Sequence, residues 1–353
     1  MRVVILGASG NVGSALLDRL AADGHDVVGV ARRPPTRGWA LRQAQWHAID
    51  VTSADAARRL ATVMRGADAV VHLVFGFQPS HDAAYLRRLD IGGTRAALEA
   101  AVAAGVPHFV DFSSLGAYSP RAREEPVDES YPTGGITTLP YSRHKAAVER
   151  LLDDEEARGR IAIARMRPAL IGHRTSGSAL LRYTYPVWAP TLVLRHLPVL
   201  PLDRGFRAQF VHVEDVVDAV ARVLEQRATG AFNIAGNGEV RRADIAAVLG
   251  ARPVHLPWRW LRALAAATWT LRLQPVDPGW LDLAAAVPRM STDRARRELG
   301  WSPRFDAVAA VTEALDGMMN AAAADTPALR ARSWVGGLMD VVRRGPVSYR
   351  RLI

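Results

Sequence analysis

Short apolar segments alternate with longer amphipathic segments through the first third of the chain. The apolar segments are residues 3–6, 27–30, 69–74 and 108–112. Segments that are apolar at both odd and even positions are typical of strands buried on both faces of a parallel sheet. Between them, apolar residues recur at helical spacing over residues 12–22, 54–65 and 83–104. The pattern therefore predicts strands that alternate with helices.

The same alternation continues further along the chain. The next predicted elements are a helix over 141–158, a strand over 161–166, a helix over 213–225 and a strand over 231–235. Strand and helix in repeated order predict the α/β fold class, with a doubly wound parallel Rossmann sheet.

The character of the sequence changes after Gly172. Residues 183–202 and 254–288 are rich in Trp, Pro and Leu without regular alternation, which indicates a smaller C-terminal substrate-binding subdomain. The predicted units are a dinucleotide-binding Rossmann domain at 1–172 and 206–236, a substrate-binding subdomain at 173–205 and 237–317, and a C-terminal tail at 318–353. A short amphipathic helix is predicted near 334–344 within that tail.

Composition and charge narrow the classes of function. The 353 residues are 49% hydrophobic, which is ample for a core, and the lack of cysteine excludes disulfides, thiolate catalysis and Cys-ligated zinc. The net charge of +10 suits an anionic ligand, but the arginines are not clustered with aromatic residues, so no specific nucleic acid partner is expected. The histidines show no zinc-type spacing, and no metal site is predicted.

Targeting and membrane signals are weak in this sequence. The apolar stretch 3–6 is too short for a signal peptide, and arginines and prolines interrupt residues 256–286 before about 18 apolar residues accumulate. We expect a cytoplasmic protein with no transmembrane segment. Trp258, Trp260 and Trp269, interspersed with arginines, fit a helix that covers the substrate cleft or one that lies on a membrane surface.

A glycine-rich loop joins the first predicted strand to the first predicted helix. It reads Gly7-Ala-Ser-Gly-Asn-Val-Gly13, and in this position glycines let backbone amides approach a pyrophosphate beside a positive helix end. The cofactor-binding residues predicted from the loop are Gly7, Ser9, Gly10, Asn11, Val12 and Gly13.

The second strand predicts which dinucleotide is preferred. It is followed by Arg32 and Arg33, and no carboxylate stands where one would bind the adenosine ribose diol. Two arginines suit a 2′-phosphate, so the predicted cofactor is NADP, with NAD as the alternative. Asp50 and Val51 end the third strand, where Asp50 either meets the adenine or caps a helix that starts near Ser53.

A single lysine, Lys145, occurs among the 45 basic residues, and it follows Tyr141 by four positions in a predicted helix. Residues four apart share a helix face, so the ammonium can lie beside the phenol and favour its ionised form. Ser114, at the end of a strand, can polarise the same substrate oxygen, although capping is the alternative for a serine there. Ser114, Tyr141 and Lys145 are therefore the predicted catalytic residues, with Tyr141 as acid/base.

With these residues in place, the sequence resembles the extended branch of the short-chain dehydrogenase/reductase superfamily, usually called the NAD-dependent epimerase/dehydratase family. The resemblance covers residues 1 to about 316. It is carried by Gly7, Gly10 and Gly13, His72-Leu-Val, Gly93-Thr94, Ser113-Ser114 with Tyr118, Pro140-Tyr141-x-x-x-Lys145, Arg167-Pro168-Ala-Leu-Ile-Gly172, Phe210-Val-His-Val-Glu-Asp215, Phe232-Asn233-Ile and Leu299-Gly-Trp301-x-Pro303.

The resemblance implies roles for particular residues. It implies Tyr141 as the acid/base, Lys145 as its partner and holder of the nicotinamide ribose, and Ser114 as the oxygen-polarising hydroxyl. Further implied cofactor contacts are Leu73, Val74 and Pro168, the last in a loop near the nicotinamide. Helices such as 83–104 and 141–158 often pair two subunits in this family, so a homodimer is an expectation.

Two departures from the family pattern concern the surroundings of Lys145 and the substrate region. Asp90 stands where members commonly have asparagine, which either alters the hydrogen bonds behind Lys145 or is tolerated. Residues 183–190 are apolar and aromatic, and they either line a site for a substrate less polar than a nucleotide sugar or pack the small subdomain. Asp215 is interpreted as a helix N-cap rather than a catalytic carboxylate.

The function predicted from the sequence is an NAD(P)-dependent oxidoreductase that transfers hydride at a carbonyl or secondary alcohol of a small molecule. The first alternative is a nucleotide-sugar epimerase or dehydratase without net redox change. The second is a non-catalytic NADP-sensing regulator, which the basic C-terminal tail would suit.

Overall fold

A computed structural model describes residues 1–186 and 189–344, without the side chains of Asp340 and Arg344. The described strands are β1 Arg2–Leu6, β2 Asp26–Ala31, β3 Gln45–Ala48, β4 Ala69–His72, β5 His108–Phe112, β6 Ala162–Pro168, β7 Leu170–Gly172, β8 Val199–Leu202, β9 Arg207–Ala208, β10 Phe210–His212, β11 Gly230–Ile234, β12 Val240–Arg241 and β13 Arg252–His255.

The helices cover both faces of the main sheet and the regions beyond it. They are α1 Asn11–Ala22, α2 Trp39–Arg42, α3 Ala56–Met64, α4 Ala83–Arg87, α5 Gly93–Ala103, α6 Pro140–Arg158, α7 Gly177–Thr184, α8 Leu192–Arg195, α9 Val213–Gln226, α10 Arg242–Leu249, α11 Trp258–Thr270, α12 Gly279–Ala286, α13 Asp293–Leu299, α14 Ala307–Met319 and α15 Trp334–Arg344. A π-helical turn, Arg88–Gly92, joins α4 to α5.

The main sheet has seven parallel strands in the order β11-β6-β5-β4-β1-β2-β3. One face packs under α1 and α9, with Val3, Leu16 and Val220 in a single core, and the other face packs under α3, α5 and α6. This architecture confirms the predicted doubly wound Rossmann sheet. The strand order reverses between β1 and β4, and ligands of such sheets bind outside the carboxyl ends of strands at that point.

Two small strand pairs lie outside the main sheet. Strand β8 pairs with β13, and both lie in segments assigned to the substrate-binding subdomain. Strand β9 pairs with β12, which joins residues 207–208 of the predicted Rossmann domain to that subdomain. Helix α13 departs from this assignment, because Leu299 and the following Trp301 pack in the core beneath the main sheet. The division into two domains stays a prediction.

The first part of the predicted tail is packed against α7. Ser178 donates its backbone N–H to the Ala322 carbonyl, and Thr326 and Leu329 are buried. We call residues 320–332 the C-terminal strap. The helix predicted near 334–344 is present as α15, and residues 345–353 lie outside the described chain. Within the described ranges no helix has the length and apolar character needed to span a bilayer.

Candidate active site

The glycine loop lies where the strand order reverses. Gly7 has φ +86°, a backbone conformation that favours glycine, and a Cβ there would come within 3.2–3.3 Å of Leu73 and Val74. A side chain at Gly13 would collide with the backbone of Gly7 and Ala8. Gly10 is the N-cap of α1 and makes no side-chain cap, so the loop joins a strand end to a helix N-terminus. The predicted loop residues and Leu73–Val74 therefore lie at one place.

Asn11, at the start of α1, is hydrogen-bonded through its side-chain oxygen to His173. Burial lowers the pKa of His173 to about 4, so this imidazole is neutral at physiological pH. Ser9 and Val12 on either side of Gly10 are partly exposed. No specific contact was predicted for His173 from the sequence. Its position directly after β7 could have indicated that it lies near the glycine loop.

The two arginines after β2 lie beside the C-terminal strap. Arg32 donates to the Tyr85 hydroxyl at 3.0 Å. Burial, Arg32 and Arg330 all lower the pKa of Arg33, in that order of size, which places Arg330 of the strap close to Arg33. A Cβ at Gly38 would lie 3.0 Å from Asp325, so the strap also packs on the loop that follows these arginines. The strap therefore brings Arg330, which was predicted to lie in a tail, close to Arg33 as an additional cation.

Asp50 does not cap a helix. Its carboxylate accepts the backbone N–H of Thr52 at 2.9 Å and the Thr52 hydroxyl at 2.7 Å, which closes a local turn. Helix α3 begins at Ala56, after the N-cap Asp55, rather than near Ser53. The capping alternative was therefore wrong, and contact of Asp50 and the buried Val51 with a cofactor stays a prediction.

Ser114, Tyr141 and Lys145 converge at the carboxyl end of β5. Ser114 caps a 3-10 turn by accepting the Gly116 N–H at 3.0 Å, and its side chain lies close enough to the Tyr141 hydroxyl to lower the pKa of the phenol. Tyr141 stands in the first turn of α6 after Pro140, a residue that suits the first position of a helix. Ser114 therefore caps a turn, and its role in polarising a substrate oxygen stays a prediction.

The Lys145 side chain is buried, and its ammonium contacts a backbone carbonyl and an aromatic ring. Its ammonium donates to the Phe112 carbonyl at 2.5 Å and lies 3.5 Å from the centre of the Phe75 ring. The ammonium is 5.9 Å from the centre of the Tyr141 ring. Burial lowers the pKa of Lys145 to about 8, against the opposing effect of nearby carboxyl groups, chiefly Asp111.

The expected lowering of the Tyr141 pKa by Lys145 does not occur in this structure. Burial raises the pKa of Tyr141 to about 12, the nearby Ser114 side chain opposes this, and the Asp90 charge adds to it. The ammonium is taken up by the Phe112 carbonyl and the Phe75 ring, so it gives the phenolate no comparable support. The phenol consequently keeps its proton at neutral pH.

Three further rings contact the Tyr141 ring, and a fourth, that of Tyr183, contacts one of them; we call these five rings the aromatic cluster. Phe75 and Phe77 meet the Tyr141 ring edge-on at 5.2 and 5.9 Å, and Trp280 of α12 lies at 5.0 Å. Phe77 also contacts Tyr183 at 5.5 Å and Trp280 at 4.9 Å. Phe75, Phe77 and Trp280 were not predicted as site residues. Phe75-Gly-Phe77, three residues after the end of β4, could have indicated aromatic residues at the ligand-binding edge of the sheet.

The family is settled by comparison with known proteins. A model of the NAD dependent epimerase/dehydratase family matches residues 3–235. The chain belongs to this family. A 3-diazoavenalumate denitrifying reductase of a Streptomyces species is 29% identical over 86% of this chain and 96% of its own length. The UDP-glucose 4-epimerase of Mycolicibacterium smegmatis is 26% identical over 86% of this chain and 94% of its own.

A solved structure supports the fold of this epimerase/dehydratase family member. The UDP-glucose 4-epimerase of Stenotrophomonas maltophila, solved with bound NAD and formylated UDP-arabinopyranose, matches with a TM-score of 0.70 at 22% identity. The match covers 91% of this chain and 98% of that one. Family and relatives together indicate an NAD-dependent enzyme.

Asp90, a departure from the usual family asparagine, has acquired a histidine partner. One carboxylate oxygen accepts the Gly76 N–H at 2.6 Å, and the other lies 2.7 Å from Nδ1 of His144. Burial raises the pKa of Asp90, and the His144 and Gly76 hydrogen bonds oppose that rise. Asp90 thereby ties the loop that carries Phe75 and Phe77 to the helix that carries Tyr141 and Lys145.

Arg167, which the family resemblance placed near the nicotinamide, is held inside the protein. Its guanidinium makes two 2.8 Å hydrogen bonds to Glu149 of α6 and donates to the Tyr118 hydroxyl at 3.1 Å. Burial disfavours the charge, but the Glu149 contacts leave the pKa of Arg167 raised. Only the neighbouring Pro168, the last residue of β6, remains a candidate cofactor contact from this pair.

Asp215 of the Val-His-Val-Glu-Asp run has a structural role, but it is not the N-cap of α9. His212 caps α9 by accepting the Glu214 N–H, while the Asp215 carboxylate accepts the N–H groups of Arg304 and Phe305 at 2.9 and 3.1 Å. These bonds fix the segment after α13 against α9. The predicted structural role was right, and the predicted position in the helix was wrong.

Proposed function

We propose that this chain is an NADP-preferring oxidoreductase that reduces a carbonyl group to a secondary alcohol, or runs the reverse reaction. One observation carries the proposal: the Ser114 and Tyr141 side chains meet at the carboxyl end of β5, and the Tyr141 ring lies 5.9 Å from the Lys145 ammonium among the rings of the aromatic cluster. Such a pair can hand a proton to a substrate oxygen at the sheet edge where ligands of this fold bind.

Tyr141 is the proton carrier in this proposal. With a pKa of about 12, the phenol is protonated at neutral pH and can donate its proton to the oxygen of a carbonyl that is being reduced. In the reverse direction the proton returns from the alcohol to the phenol oxygen. The dinucleotide, when bound, supplies or accepts the hydride.

Ser114 orients the substrate oxygen beside Tyr141. Its oxygen accepts the Gly116 N–H, and its own O–H would donate to a substrate oxygen placed next to the phenol. The glycine loop and Lys145 would hold the dinucleotide, with the ammonium on a ribose hydroxyl. The residues present therefore fit the cofactor that the family uses.

The aromatic cluster favours an apolar or aromatic carbonyl compound over a nucleotide sugar. Phe75, Phe77 and Trp280 offer ring faces and edges around the proton carrier, and a sugar ring with several hydroxyls would leave polar groups without partners there. A reductase among the relatives is consistent with net redox chemistry.

An epimerase is the second candidate function, because a UDP-glucose 4-epimerase also matches over most of the chain. The two functions differ in how they treat the dinucleotide. A reductase releases it after each turnover, whereas an epimerase keeps it between half-reactions. Stoichiometric NAD retained through purification would favour the epimerase.

The reductase proposal is tested by NADPH oxidation with a panel of ketones, sterols and nucleotide sugars. We expect turnover with aromatic or alicyclic ketones and none with UDP-glucose. Thermal unfolding provides the cofactor test, since a ligand that binds the native state raises the midpoint. No protection by either NADPH or NADH would contradict the whole proposal.

Replacing Arg33 by alanine should weaken NADPH binding by about 30-fold, because a charge-assisted contact to a phosphate contributes about 2 kcal/mol. NADH binding should change by less than about twofold, since it has no 2′-phosphate. Arg330→Ala should act in the same direction through the strap. Isothermal titration of both dinucleotides measures the difference.

Arg95→Ala is the matched control, because Arg95 is an exposed arginine on α5 outside the strap contact. It should leave both affinities unchanged. Equal losses of NADPH and NADH affinity in Arg33→Ala would mean that Arg33 supports the loop rather than a 2′-phosphate.

The affinity for NADPH should fall as the pH rises through about 8. The pKa of Lys145 is lowered to about 8, so its ammonium is largely present at pH 7 and largely lost at pH 9, and the affinity should drop by up to about tenfold. Asp111, with a pKa raised by burial to about 7, together with Asp90 and Glu149, faces the ammonium and broadens the transition. Fluorescence titrations at successive pH values measure it.

Lys145→Arg is the control for this titration, because a guanidinium stays charged throughout the range. Its NADPH affinity should be lower but flat between pH 7 and 9. A variant that keeps the wild-type pH dependence would assign the transition to another group.

A further inference from the structure

Helix α11 presents an apolar stripe to solvent. None of its residues is buried, and Trp260, Leu264 and the C-cap residue Leu271 are 58%, 59% and 67% exposed. Their spacing of four and seven positions places them along one face, with Ala267 between them. Large apolar side chains in a contiguous exposed row mark an interaction surface.

The opposite face of α11 is already occupied. Trp269 stacks on His81 with ring centres 4.1 Å apart and planes 18° apart, and Arg262 pairs with Asp282 of α12 at 2.6 Å. These contacts fix the rotation of the helix, so the apolar stripe faces outward by construction. The two interpretations of this tryptophan-rich segment, cleft cover and membrane surface, apply to different faces of one helix.

The charge around the stripe is of one sign along the sequence. No aspartate or glutamate occurs between Asp244 and Asp277, whereas that segment contains four arginines. Arg252 and Arg259 are exposed, and the Arg259 guanidinium lies 5.7 Å from the Trp260 ring centre. Tryptophan and leucine on one face of a helix with arginine at its edges are typical of helices that lie in the interface of an anionic membrane.

We propose that α11 docks this protein on the surface of an anionic lipid bilayer. Trp260, Leu264 and Leu271 would enter the boundary between headgroups and acyl chains, and Arg252 and Arg259 would lie among the phosphate groups. A row of three large side chains is too narrow for a protein interface, which needs about 800 Å² on each partner, whereas insertion into lipid needs no wider surface. The proposal is independent of the proposed reaction.

The test is co-sedimentation of the full chain with vesicles of phosphatidylcholine alone or with about 30% phosphatidylglycerol. We expect binding to the anionic vesicles, and binding weaker by about tenfold or more on neutral vesicles or in high salt. The variant Trp260→Ser/Leu264→Ser/Leu271→Ser should lose binding to the anionic vesicles. Arg252→Gln/Arg259→Gln should lose it as well, and this second variant leaves the apolar stripe intact.

The matched control is Val335→Ser/Met339→Ser, because these side chains of α15 are 64% and 50% exposed. It should bind as the wild type does. Failure of the wild type to bind anionic vesicles, or loss of binding in the α15 variant alone, would overturn the proposal. So would a wild-type dimer in sedimentation velocity that the α11 variant converts to a monomer, because the stripe would then be covered by a second copy of the chain.

Discussion

Tyr141→Phe is expected to lower kcat for carbonyl reduction by about 10²–10⁴-fold, which is the usual contribution of a positioned acid/base. The phenylalanine ring keeps the contacts with Phe75 and Trp280 at 5.2 and 5.0 Å, so the site should keep its shape. Only the hydroxyl and its interaction with Ser114 are removed. NADPH oxidation under single-turnover conditions, together with the Kd for NADPH, separates the chemical step from cofactor binding.

Tyr131→Phe is the control for this prediction. The Tyr131 hydroxyl bonds to the Pro120 carbonyl and the Ala122 N–H, outside the aromatic cluster, and its loss should leave kcat close to the wild-type value. If Tyr141→Phe binds NADPH normally and keeps more than about a third of the wild-type kcat, the proton comes from another group. A parallel loss of NADPH affinity would instead indicate that the phenol positions the dinucleotide.

The parts of the site that the sequence predicted are those that depend on local order. A glycine loop after a short apolar strand, and a tyrosine and lysine four apart in one helix, are set by spacing alone. Residues 2–6 and 140–158 accordingly form β1 and α6. The strand alternation likewise predicted the main sheet, because strands buried on both faces need apolar residues at every position.

The aromatic cluster could not be read from spacing. Phe77 and Trp280 are about 200 positions apart in sequence and meet only because the loop after β4 and helix α12 both pack against Tyr141. The raised pKa of Tyr141 also results from tertiary packing and could not be predicted from spacing. Helical spacing placed an ammonium near the phenol, but burial among rings raised the pKa more than any nearby charge could lower it.

The strap shows a different limit of sequence reasoning. Its alanine-rich composition carries no amphipathic period, so residues from Met318 onward were predicted to form a tail. What holds the strap are backbone contacts: the Ser178 N–H donates to Ala322, and the Arg182 guanidinium donates to the carbonyls of Ala328 and Arg330. Every residue type has a backbone carbonyl, so composition cannot predict packing that depends on hydrogen bonds to carbonyl groups.

Glu149→Ala is expected to lower the free energy of unfolding by about 3–5 kcal/mol, because it leaves buried guanidinium groups without their carboxylate. Glu149 is fully buried, and it binds Arg167 twice at 2.8 Å, Ser113 at 2.5 Å and Arg165 at 3.2 Å. It lies one helical turn after Lys145, while Ser113 directly precedes Ser114. The same carboxylate therefore ties the helix that carries Tyr141 and Lys145 to the segment after β5 that carries Ser114. Urea unfolding monitored by far-UV circular dichroism measures the loss.

Two controls separate this buried contact from ordinary surface pairing. Glu298→Ala removes a partner of Arg294 at an exposed ion pair and should cost less than about 1 kcal/mol. The double variant Glu149→Met/Arg167→Met should cost less than the sum of the single variants, since it leaves no lone Arg167 charge. A loss below about 1 kcal/mol in Glu149→Ala would contradict the prediction, because water would then be solvating the arginines.

The pH dependence of the free energy of unfolding is an independent test of how much the Glu149 carboxylate stabilises the fold. Burial would raise the pKa of Glu149, but the bond and charge of Arg167, with Ser113 and Arg165, hold it below the ordinary value of 4.5. A carboxyl whose folded pKa is depressed contributes its full stability above the unfolded pKa and loses it as the pH falls through the folded pKa. The stability difference between wild type and Glu149→Ala should therefore be full at pH 7 and shrink below about pH 4.5. A difference that stayed constant down to pH 3 would mean that the variant loses packing rather than charge pairing.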